Sequence, residues 1–196
     1  GKALAYGPNI NDFGYQRPSE AFPSAAKANA LKANASPVEK ALIEAIAIRY
    51  VADSTADQGK LNALYRDAMK AVYTAYPNDE NVSTLYADAL MLMHPWDLYD
   101  HNFNAKPWTP EIVAVLKHTL QLNPKQPGAN HYYIHAVEAS AKPDNALNSA
   151  EFLASAMPDV SHLTHMPSHI YIRTGIYDKG ITVNDQGLAG YKKYYH

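Results

Sequence analysis

Three features of the 196-residue chain predict an all-α fold of stacked helical hairpins. Apolar residues recur at spacings of three and four along most of its length, strand-like alternation is scarce, and prolines follow the helix ends. The clearest element opens at Ser36-Pro37-Val38-Glu39, where a capping box and a first-turn proline precede the apolar face Ala41, Leu42, Ala45, Ile46 and Ile48, running to about Val51. The same period predicts helices at about 58–76, 80–93, 110–122, 128–141, 143–156, 161–174 and 177–191. They come in pairs, and Tyr76-Pro77, Asn123-Pro124 and Met157-Pro158 mark the closing points, 47 and then 34 residues apart.

Thirty-four residues is the tetratricopeptide period. The last unit, Gly175-Ile176-Tyr177-Asp178-Lys179-Gly180-Ile181, resembles that family's Gly-x-Tyr-x-x-Ala turn into a second helix, and the unit before it keeps Ala146 and the closing Pro158 in matching places. Gly180 and Gly187 stand where the family prefers alanine and are expected to weaken the last hairpin, at about 1 kcal/mol for each mid-helix glycine. The resemblance implies an α-solenoid of tetratricopeptide-like hairpins. It is read as one domain over 1–196, with approximate units 1–35 (partial), 36–77, 78–124, 125–158 and 159–196. The 47-residue unit carries an insertion at about 94–108, which is expected to fold back on the stack and bury both tryptophans, Trp96 and Trp108, with a lid over the groove as the other reading.

Longer segments carry the resemblance further. Gly128-Ala129-Asn130-His131-Tyr132-Tyr133-Ile134-His135-Ala136-Val137-Glu138 and His165-Met166-Pro167-Ser168-His169-Ile170-Tyr171-Ile172-Arg173, with Tyr6-Gly7-Pro8-Asn9-Ile10-Asn11 and Ala89-Leu90-Met91, are similar to segments of a largely uncharacterised group of bacterial tetratricopeptide proteins. That likeness implies a bacterial source and a chain that is a fragment of a longer protein, with Ala3 to Tyr6 as the end of a helix that has lost its beginning. It carries over no reaction.

Composition narrows the function classes. A net charge of −2 with only 18% charged residues leaves no long basic surface, so nucleic acid is not an expected partner. No run approaches the apolar length of a membrane span, so the chain is expected to be soluble, in the bacterial cytoplasm or periplasm. With no cysteine, disulfides, thiolate nucleophiles and thiolate metal sites all drop out. The unusual counts are 15 tyrosines and 9 histidines.

The histidines carry the functional signal. His131 and His135 stand seven and eleven residues after Pro124, and His165 and His169 stand seven and eleven after Pro158, so the two His-x-x-x-His pairs repeat at the structural period itself. Residues at i and i+4 share a helix face about 6 Å apart, and packed helices run about 8 to 10 Å apart, so imidazoles from both helices can converge on one ion or on two close ions. In the tetratricopeptide pattern these positions belong to the first helix of each hairpin and line the concave groove. Glu138 falls on the stripe of His131 and His135, and the expected metal ligands are His131, His135, His165, His169 and Glu138. Secondary candidates are His162, Arg173, Tyr132 and Tyr171, with an ion pair between Arg173 and Glu138 as the other reading of those two residues. Glu138 and Asp88, the latter eleven residues after Pro77, are the candidates for a catalytic base. Pro167 lies between the last two histidines, where it either kinks a helix starting near Ser161 or starts a new one.

Neutral imidazoles with a carboxylate and no thiolate suit a divalent transition metal: zinc first, with copper, nickel and iron as the others. These residues predict a metal-binding helical-repeat protein with a histidine cluster in its groove, a metal-dependent enzyme if a coordination position stays open, with a small-molecule or peptide ligand there. The alternative is a tetratricopeptide scaffold that binds a peptide or protein partner without metal.

Overall fold

The computed structural model describes residues 18–53 and 55–194, and the expectations for Ala3 to Tyr6 and the break that follows them lie outside this range. Two compact units divide the chain, Gly1–Trp96 and Asp97–His196. The described residues form no strand, and an isolated bridge joins Tyr99 to Ala105. No helix among them is long and apolar enough to cross a membrane.

In the first unit, α1 (Pro18–Leu31) packs on α2 (Pro37–Arg49), α2 on α3 (Gln58–Ala75), and α3 on α4 (Glu80–Met91). Each of the last three starts has a local cause. The Ser36 and Glu39 capping box opens α2, the Asp57 side chain accepts from the Lys60 amide at α3, and Asp79 Oδ1 accepts from Asn81 and Val82 at α4. α1 carries Pro18 in its first turn, and its apolar period is too weak to mark it as a helix in the sequence. The core includes Ala45, Ile46, Tyr65, Met69, Val82 and Tyr86. Arg49, 1% exposed, donates from Nε to Asn62 Oδ1 at 3.0 Å and lies over the Tyr65 ring, with its guanidinium carbon 5.1 Å from the centroid. Asp88 is buried on α4, and Tyr50 and Tyr65 are its electrostatic neighbours.

In the second unit, α5 (Thr109–Leu122) packs on α6 (Pro127–Val137), α6 on α7 (Leu147–Ala156), and α7 on both α8 (Ser161–His165) and α9 (Pro167–Thr174), while α10 (Tyr177–Tyr194) packs on both α8 and α9. A 3-10 turn at Pro143–Ala146 replaces the first turn predicted for α7. The segment before α5 is tied down by the Tyr99 hydroxyl, which donates to the Ala136 carbonyl at 2.9 Å, and by Trp108 Nε1, which donates to the Asp97 carbonyl. Trp108 is half-buried, but Trp96 is 59% exposed, so the expected burial of both tryptophans holds for neither fully.

α6 ends at Val137, short of the predicted Ala141, and Glu138 is its cap residue. Pro143 disfavours helical backbone at Lys142, which stands at φ −136° and ψ 64°. The Pro167 alternative resolves into two helices. Met166 keeps helical dihedrals between them, Pro167 has no amide hydrogen to continue the ladder, and the His169 amide donates to the Met166 carbonyl instead of one turn back.

Candidate metal centre

Gln126 opens α6 by accepting from the Ala129 amide, and Asn130 Nδ2 donates to the Pro124 and Gln126 carbonyls, which locks the first turn. His131 and His135 then share one face, their ring centroids 4.9 Å apart. At the next hairpin, Thr164 Oγ1 donates to the Met157 and Val160 carbonyls and fixes the entry into α8. From here His162 on α8 reaches His131 and His169 on α9 reaches His135.

Five imidazoles close into a ring. Going round it, neighbouring centroids are 4.9 Å (His131 to His135), 5.4 Å (His135 to His169), 4.9 Å (His169 to His165), 6.2 Å (His165 to His162) and 5.0 Å (His162 to His131). Two pairs meet nitrogen to nitrogen: His162 Nε2 and His131 Nε2 at 3.1 Å, and His165 Nε2 and His169 Nε2 at 3.0 Å. One ring nitrogen from each of His131, His135 and His162 lies within 4.8 Å of the others.

The outward nitrogens are held. Glu138 Oε1 lies 2.9 Å from His135 Nδ1 and Oε2 lies 2.6 Å from His169 Nδ1, so one carboxylate bridges two imidazoles from different helices. Asn184 Oδ1 lies 2.6 Å from His165 Nδ1. A carboxylate or amide oxygen accepts there, so each Nδ1 donates, and in the neutral form of these rings the Nε2 atom is the one left with a lone pair.

Glycine lets α10 supply Asn184. A Cβ on Gly187 would stand 3.1 Å from the Ser161 carbonyl oxygen and 3.4 Å from His165 Cβ, and one on Gly190 would overlap Ser161 Oγ. The expectation that Gly187 weakens the last hairpin therefore has a counterpart. Its missing side chain allows α10 to close on α8, with Asn184 one turn earlier facing His165.

Burial and charge act together on the cluster. His135 is 5% exposed and Glu138 9%. Burial, then the neighbouring imidazoles His135 and His162, hold His131 well below the usual histidine range. Burial first, then the imidazoles of His135, His165 and His169, bring His162 down to about 4. Burial pushes the Glu138 carboxyl up, but the hydrogen bonds from His135 and His169, with their charge, outweigh it and leave Glu138 at about 2.

These directions set an acid response. Between the ordinary histidine value of 6.5 and about 4, the unfolded chain protonates at position 162 before the folded one does, so stability falls as pH drops through that window. Glu138 has its pKa depressed on folding, so its contribution is present above about 4.5 and is lost as pH falls toward about 2. The metal-free protein is expected to lose several degrees of melting temperature between pH 6.5 and 4 and more below, measured by calorimetry at constant ionic strength. A flat profile down to pH 4 would contradict the buried, neutral imidazoles.

The other candidates fall into place. Tyr132 stacks on the His131 ring at 4.8 Å. Tyr171 is buried in the core beside Glu151, with Lys179 Nζ over its ring, and its hydroxyl is pushed up to about 12 by burial and then by the Glu151 charge. Arg173 is exposed, and Glu138 directs its oxygens at His135 and His169 instead of forming the ion pair with it. Asp88 belongs to the first unit. Asn184 escapes the sequence reading, since a lone asparagine on a helix carries no metal-site signal.

No protein-family profile matches the chain, and no curated protein matches it in sequence. Among solved structures, TTC0263, a thermophilic TPR protein in Thermus thermophilus, matches with a TM-score of 0.63 at 16% identity over 89% of this chain and 83% of its own. MamA MSR-1 C2 matches with a TM-score of 0.55 at 16% identity over 91% and 89% of the two chains, and a further crystal structure of MamA with 0.55 at 15% over 91% of each. At these identities the likeness concerns the fold, and the chain has an all-α, tetratricopeptide-like helical-repeat fold.

Proposed function

We propose that the imidazole ring is a divalent transition-metal centre and that the protein is a metal-binding helical-repeat protein. The observation that carries this reading is the pair His165 and His169. Their Nε2 atoms lie 3.0 Å apart while the Nδ1 atoms face Asn184 and Glu138, so two neutral rings would turn lone pairs on each other, a contact that a cation or a shared proton relieves. Two nitrogens on one zinc at its usual bond length stand about 3.3 Å apart in a tetrahedron. The separations of 3.0 and 3.1 Å come within a few tenths of an ångström of that.

Two groups sharing His135 could hold an ion, His131 with His135 and His162, and His135 with Glu138 and His169, and His165 stands beside the second through its Nε2 contact with His169. Glu138 orients two imidazoles through its hydrogen bonds and offsets an ion's charge as an outer partner, and its oxygens also lie close enough to His135 and His169 to serve as a ligand. Zinc is the first assignment, with copper, nickel and iron as the others, because neutral nitrogen donors without thiolate suit all four. Three imidazoles with an open position would make the centre catalytic; four or five on one ion would make it structural.

Elemental analysis of untagged protein tests the reading, with near one transition-metal ion per chain as the expected result. A fully folded sample that neither holds nor takes up metal would favour the second reading, a tetratricopeptide scaffold that captures a peptide or protein partner. The exposed apolar side chains Ile172, Tyr177 and Ile181 beside the ring are what support that reading.

A further inference from the structure

The ring is not closed on all sides. His135 and Glu138 are buried, whereas the His169 side chain keeps 26% of its surface accessible, and a cavity of about 300 Å³ opens beside it between α9 and α10. His165, His169 and Asn184 contribute its polar lining, and Ile172, Tyr177 and Ile181 its apolar walls. Each of those three large side chains is more than 60% exposed (64%, 62% and 61%). Exposed apolar residues scattered singly need no explanation, but three that converge on one cavity beside imidazole nitrogens have the make-up of a ligand pocket: apolar walls with a few placed polar groups.

Resting on the metal-centre reading, we infer that this cavity is the binding pocket for a small neutral molecule with an aryl-sized apolar body and a nitrogen or oxygen donor head that reaches the ion past His165 and His169. Size and charge select that class. The volume sits at the bottom of the range for small-molecule pockets, too small for a nucleotide or a folded peptide segment. No lysine, arginine, aspartate or glutamate lines it, so nothing there would pair with a phosphate or a charged amine. The apolar walls reward burial of a ring, and the donor head replaces water on the ion.

The test uses the cobalt(II)-loaded full chain and two probes that share one head, imidazole and 4-phenylimidazole, titrated against the cobalt visible spectrum. The phenyl compound is expected to bind at least about tenfold more tightly, the gain from burying an aryl face. Ile181→Asp and, separately, Tyr177→Ser should remove most of that ratio while leaving cobalt content unchanged. Both positions are exposed, so neither change threatens the fold.

Retained cobalt with equal affinities for the two probes overturns the pocket and leaves the metal centre standing. So does a ratio that survives in both variants. If the chain instead self-associates with concentration, and Ile181→Asp abolishes that without altering the ratio, a second copy occupies the walls and the inference fails. A chain that holds no cobalt overturns the pocket and the metal centre together.

Discussion

Replacing His135 and His169 together by alanine is expected to bring metal content from near one ion per chain to background. His135 belongs to the grouped set with His131 and His162, and His169 supplies half of the Nε2 pair with His165. The double change therefore removes donors from both sides of the ring, and a chelate that loses two of five imidazoles loses the geometry that holds the ion. It also strips Glu138 of both hydrogen-bond partners at a position only 9% exposed. A buried carboxylate left in that state costs about 1–3 kcal/mol or more, so the variant should melt lower even without metal. A second pair, His131→Ala with His162→Ala, separates the two effects, because the Glu138 bridge remains intact while the ion loses two ligands. Its expected result is equal loss of metal with a smaller fall in melting temperature. His101→Ala, at an exposed turn, should change neither. Undiminished metal in both double variants would end the assignment.

How far the site could be read from sequence depends on which distances the repeat itself sets. Identical offsets from Pro124 and Pro158 specify equivalent positions on successive first helices, so the meeting of His135 with His169 follows from a period of 34, whereas His131 meets His162. His162 shares the stripe of His165 and His169 but has no counterpart one period earlier, where Gly128 stands, so the repeat alone does not single it out; in the structure its Nε2 lies 3.1 Å from His131 Nε2. Glu138 was legible as a member of the stripe but not in its role. A helical wheel gives an angle on α6, whereas the role depends on where His169 of α9 stands against it. Asn184 could not be found from sequence at all. Its contact accompanies a close approach of α10 to α8 that a side chain at Gly187 or Gly190 would crowd, and the repeat pattern marks Gly187 only as a departure from a helix former.

The role of Glu138 leads to the most discriminating single substitution. Glu138→Gln preserves the volume and one acceptor oxygen, so His135 or His169, but not both, can keep its Nδ1 proton pointed at position 138. The amide group faces the other imidazole with a donor. Two donors cannot share that contact, and the histidine responds by moving its proton to Nε2, which turns a bare lone pair in the ring into an N–H. That nitrogen can no longer ligate an ion. The neutral amide also withdraws the negative charge that offsets a divalent cation. Metal affinity measured by chelator competition is expected to fall about 10- to 100-fold, the range for loss of an outer hydrogen-bond partner. Long-range proton–nitrogen spectra of the metal-free protein provide the reading that a merely structural role would not move. One of the His135 and His169 signals should change from the Nδ1–H to the Nε2–H tautomer in Glu138→Gln, with the other unchanged. If affinity drops without a tautomer change, the carboxylate acts through its charge alone. If neither moves, the bridge does not govern the ring, because a carboxylate that sets which nitrogen is bare must reset it when one of its oxygens becomes a donor.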